Sequence, residues 1–95
     1  MAEGSQQRRR ERRRSIEELF AGRDVEAALD LLHLTDMAWH DCYGPQELEI
    51  PAAVLDDVLL LAGGDLAALV RLARAAVVDY RDVRLAANHV RAKRT

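Results

Sequence analysis

The scarcities of this 95-residue chain bound it first. A single cysteine, Cys42, excludes an intramolecular disulfide framework. No pairs of Cys and His stand at zinc-finger spacing, so no structural metal is expected. Two prolines, five glycines and four aromatic residues leave few chain breakers and little ring area to fill a core. The longest apolar runs, such as Val58 to Ala62, fall far short of the roughly 18 to 20 residues that span a bilayer. No membrane span or signal peptide is expected, because the basic start leads into acids and not into an apolar run. With a lone thiol, a reducing, cytoplasmic setting is the expectation. The one Gly pair, Gly63 and Gly64, precedes Asp65, whose charge repels phosphate at a helix start. Asp56 and Asp57 are neighbours that diverge by about 100° on a helix, which excludes an acid and base dyad and leaves solubility as their reading. No catalytic residue or cofactor is assigned, and an enzyme is not expected.

The residues present are mostly aliphatic and charged, 49% hydrophobic and 32% charged. The net charge of −2 hides an uneven layout. Residues 1–14 carry six Arg against Glu3 and Glu11, for +4. Residues 15–70 carry twelve acids against Arg23, for −11. Residues 71–95 carry seven bases against Asp79 and Asp82, for +5. Such asymmetry bears on association more than on fold.

Residues 1–14 hold no large apolar side chain after Met1, and six like charges within seven positions oppose a helix in isolation. They read as an arginine-rich flexible tail, with residues 15–95 as a helical domain. Ser15 and Glu18 form a capping-box pattern for a short helix over 16–21, ended by Gly22. Asp24 is placed to cap a second helix to about residue 42, whose apolar Val25, Ala28, Leu29, Leu32 and Trp39 recur at helical spacing. Leu31, Leu34 and Ala38 widen that stripe. Glu26, Asp30, His33, Asp36, Met37 and His40 form its expected solvent face. Pro51 opens a third helix to Ala62, ended by Gly63 and Gly64.

Beyond Asp65, the residues Leu66, Leu69, Ala73, Ala76, Tyr80, Val83, Ala87 and Val90 alternate by three and four. This is a seam for another helix on an element of about 27 residues, or roughly 40 Å at 1.5 Å per residue. The expected fold is therefore all-α: a small three- to four-helix bundle with a long C-terminal helix and a basic N-terminal tail. A chain this short buries only about 60 to 70% of its unfolded surface, which gives self-association as a homodimer, or a protein partner, a stabilising role.

The favoured function is a protein–protein interaction or regulatory module with an acidic body and basic ends. Its partner-binding candidates are Arg8, Arg9, Arg10, Arg12, Arg13 and Arg14 of the tail and Asp30, His33, Asp36 and His40 of the second helix. Two alternatives belong to other classes. Arg74, Arg81, Arg84 and Arg91 lie along one side of the last helix, and with the N-terminal arginines could contact a nucleic-acid backbone. The acidic middle and the lack of an aromatic stacking platform count against it. His33, Asp36 and His40, spaced by three and four, could bind a metal ion, although nothing else identifies a ligand set. Trp39 and Tyr43, four apart, are expected to plug the bundle end with Cys42 as a small buried group.

Overall fold

A computed structural model describes residues 2–94. Among them are four helices and no strand: α1 (Ala2–Leu19), α2 (Gly22–Tyr43), α3 (Ala52–Ala62) and α4 (Leu66–Arg94). The fold is a small all-α bundle with a long C-terminal helix, as the apolar spacing predicts. α1 packs on α2, and α4 packs on both α2 and α3.

The stop signals act largely as read. Gly63 takes the left-handed conformation at φ 58°, and its N–H donates to the Leu59 carbonyl, ending α3. Gly44 ends α2 in a different positive-φ conformation, φ 106°, ψ 172°, with its N–H donating to the His40 carbonyl. At the first junction the reading changes. α1 runs through Ser15 to Leu19, so Ser15 is interior and caps nothing. The break falls at Phe20 and Ala21, with Ala21 extended at φ −60°, ψ 149°, and Gly22 begins α2 instead of ending α1. α2 therefore starts ahead of Asp24, whose side chain does not cap it.

The core gathers Ile16 and Phe20 from α1, Leu29, Leu32 and Trp39 from α2, Val54 and Val58 from α3, and Leu69, Ala76 and Val83 from α4. The seam residues Leu69, Ala73, Ala76, Val83 and Ala87 are all buried, so α2 and α3 of the same chain fill the seam of α4. α4 keeps its full length but breaks at Asp79, whose φ −159°, ψ 94° is extended backbone inside helix. The Asp79 carboxylate accepts hydrogen bonds from the Arg81 N–H (3.1 Å) and the Arg81 side chain (2.9 Å). Asp79 thus acts as an N-cap for the final segment. No proline or glycine causes the break.

Candidate functional site

The expected tail over residues 1–14 is helical throughout its described part, and its arginines meet acids of the same chain. Ala, Gln, Arg and Glu are strong helix formers. The like-charge repulsion that opposes a free helix is relieved by neighbours on α2. Arg13 Nη1 lies 2.7 Å from Glu26, and Arg9 lies 2.7 Å from Glu26 and 2.8 Å from Asp30. Arg12 grips Asp36 with two hydrogen bonds, 2.8 and 2.9 Å. Arg8 Nε stands 3.5 Å from Asp36 and 3.3 Å from Glu49 without an aligned hydrogen bond to either. The spacing of four between Arg9 and Arg13 on α1 matches the spacing of four between Asp30 and Glu26 on α2, while Arg8 and Arg12, also four apart, converge on Asp36, so the two helices mesh by charge.

Asp36 is the centre of this mesh and is only 2% exposed, contrary to its expected place on a solvent face. Besides Arg12, its Oδ1 accepts from the backbone N–H of Ile50 at 3.0 Å. One carboxylate therefore ties α1, α2 and the connector between α2 and α3. Glu26 is exposed, yet the hydrogen bonds from Arg13 and Arg9 lower its pKa to about 2. The same contacts raise both guanidinium pKa values, Arg13 chiefly through Glu26 and Arg9 chiefly through Glu26 and then Asp30. Arg10 and Arg14 stay exposed; Arg14 only approaches Glu18, at 3.9 Å.

The histidines do not join the acids in one site. His33 is exposed, and His40 sets Nδ1 3.2 Å from the Glu47 carbonyl. Among the described residues no group of three His, Cys, Asp or Glu side chains is placed to hold a metal ion. Asp36, the would-be central ligand, is turned to Arg12 and Ile50. Cys42 is exposed, not buried beside Trp39 as expected. Trp39 and Tyr43 do pack at the bundle end, with ring centroids 4.3 Å apart, and Tyr80 of α4 joins them at 5.9 Å from Trp39. The Trp39 indole N–H donates to Glu47 at 3.3 Å, and the Tyr43 hydroxyl donates to the Val77 carbonyl at 3.0 Å.

Asp57 is a charged residue that the sequence reading placed in solvent and the fold buries completely. Arg91 Nη1 lies 2.8 Å from one oxygen and Arg84 Nε 3.5 Å from the other. Neither oxygen accepts an aligned hydrogen bond, so the coupling is mainly coulombic. The signal was present in the spacing: Asp57 follows Val54 by three and adjoins Val58, which puts it on the buried face of α3. Of the four arginines along α4, Arg84 and Arg91 are engaged with Asp57 and Arg81 with Asp79. Arg74 is exposed and forms no ion pair within the described chain.

Comparison with protein-family models, with curated proteins and with solved structures returned no match. No helix among the described residues is long and apolar enough to cross a membrane.

Proposed function

We propose that this chain is a small helical protein–protein interaction module, not an enzyme, working in the cytoplasm. The observation that carries the reading is the set of large apolar side chains left on the outer surface of a bundle whose buried carboxylates, Asp36 and Asp57, are met by arginines of the same chain. Leu34 is 59% and Val78 76% exposed, with Met37, Val70 and Leu85 also exposed. Scattered apolar residues are ordinary on a surface, but a domain this small gains disproportionately from covering them. The charge layout supports the same reading. The basic N-terminal helix occupies the acidic face of α2, so an outside partner is expected at the exposed Leu34 and Met37 of α2 instead. A free, exposed Cys42 accords with a reducing compartment.

The nucleic-acid reading draws less support. Most arginines it would use are held by Glu26, Asp30, Asp36 and Asp57 of the same chain.

A photo-crosslinking residue placed at Met37, with a second at Arg94 as control, tests the proposal in the cell of origin. Discrete protein adducts from position 37, lost when Leu34→Ser is added, are expected. No adduct from position 37, or adducts that Leu34→Ser leaves unchanged, would overturn it.

A further inference from the structure

The inward side of α2 is fixed by the buried Val25, Ala28, Leu29, Leu32 and Trp39. At 100° per residue, Ala27, Leu31, Leu34 and Ala38 form a second apolar stripe roughly 130° round the helix from that core face. Ala27 and Leu34 are exposed, Ala38 is half-buried, and Leu31 is half-buried with part of its side chain packed against the core. The acid face that receives α1 lies between the two stripes on one side, and Ala27 and Leu34 stay in solvent.

The order of this stripe is what identifies its occupant. Alanine, leucine, leucine, alanine, at spacings of four, three and four, reads the same in both directions. A twofold contact is isologous: the same patch serves both copies and must complement itself under reversal. Two antiparallel α2 helices would set Ala27 against the partner's Ala38 and Leu31 against the partner's Leu34. The leucines then fill the centre, and the alanines allow close approach at both ends, with the three and four alternation of helix pairs.

Charge at the stripe's ends agrees. Arg23 and Asp41 flank it on the same side; both are exposed and neither forms an ion pair within the described chain. Positions on the same flank face each other in an antiparallel pair, so Arg23 meets the partner's Asp41, and the symmetry repeats the pair.

We infer that the partner is a second copy of this chain, docked α2 against α2 about a twofold axis between Leu31 and Leu34 and fastened at each end by Arg23 and the partner's Asp41. This rests on the interaction-module reading and names its partner.

Sedimentation equilibrium and light scattering on the full chain test it. A mass twice the 10.6 kDa of one chain is expected at micromolar concentration. Leu34→Asp should return the monomer with unchanged helicity by circular dichroism, because Leu34 contributes little to the core. Arg23→Asp and Asp41→Arg should each weaken the dimer about tenfold by placing like charges together, and the double variant should recover the loss. In a Cys42→Ser background, Ala27→Cys with Ala38→Cys should give covalent dimers on mild oxidation. A monomer at hundreds of micromolar overturns the inference, as does a dimer indifferent to Leu34→Asp or to the charge reversals. The crosslinking readout separates the two levels. Adducts at twice the chain mass support both readings; adducts only with another protein sustain the interaction module and sink the second copy; no adducts remove both.

Discussion

The Arg12 guanidinium holds both carboxylate oxygens of Asp36, at 2.8 and 2.9 Å, across 24 residues of sequence. The fork of Arg matches a carboxylate in this way, and a lysine could supply only a point charge. With Asp36 buried, its charge is tolerated only because Arg12, Arg8 and the Ile50 N–H surround it.

Removing one member should therefore cost more than removing the pair. Arg12→Ala leaves a buried carboxylate short of its main partner and is expected to destabilise by about 3 kcal/mol. Asp36→Asn in the same chain should recover part of that loss. Urea unfolding of the two single variants and the double variant measures it; equal or larger loss in the double variant would show that the pair is not coupled.

Glu26 gives the α1–α2 contact a pH signature. Its folded pKa, held down to about 2 by Arg13 and Arg9, is below its ordinary 4.5. The folded state then binds fewer protons than the unfolded one between these values, so the contribution is full above pH 4.5 and is lost as pH falls toward 2. Asp79, lowered by Arg81, acts in the same sense. Acid titration of thermal stability should show a steeper fall over this window in the native chain than in Glu26→Gln. Because Glu26 is exposed, 0.5 M salt should flatten the difference.

At Asp57 the same logic runs through α3 and α4. The double variant Arg84→Ala with Arg91→Ala strands a fully buried charge and is expected to lose about 2 to 3 kcal/mol. Asp57→Leu in that background should restore most of it, since a buried ion pair is often no better than a well-packed apolar group. Midpoints of thermal unfolding decide; no recovery would mean that the arginine stems, not their charges, support α4.

Gly64 sits at φ 81°, and a β-carbon there would meet the Leu19 backbone carbonyl at the end of α1. Gly64→Ala is expected to cost about 2 kcal/mol through the left-handed backbone and this contact. Gly63→Ala, at φ 58° with open space around it, should cost less. Chemical denaturation of the two variants ranks them.

Much of the architecture was legible in the chain because helix formation is governed by local spacing. The three and four alternation of Leu66 to Val90 marked α4, and Gly63 marked the end of α3, since only glycine enters the left-handed region at little cost. The aromatic pair Trp39 and Tyr43 was legible for the same reason. The fate of individual charges was not. Six arginines in seven positions repel one another in an isolated segment, so residues 1–14 read as a tail; across the bundle they face Glu26, Asp30 and Asp36, and the sign of the energy changes.

Sequence periodicity by itself determined that this protein is helical, roughly where its helices lie, and which apolar stripes they carry. Only the tertiary structure decided which of its charges are buried, that Asp36 and Asp57 are held by arginines from distant helices, and that α4 bends at Asp79. Hydrophobic spacing is a property of one helix, whereas the energy of a charge depends on what stands across the gap from it, and that is fixed only when the helices pack.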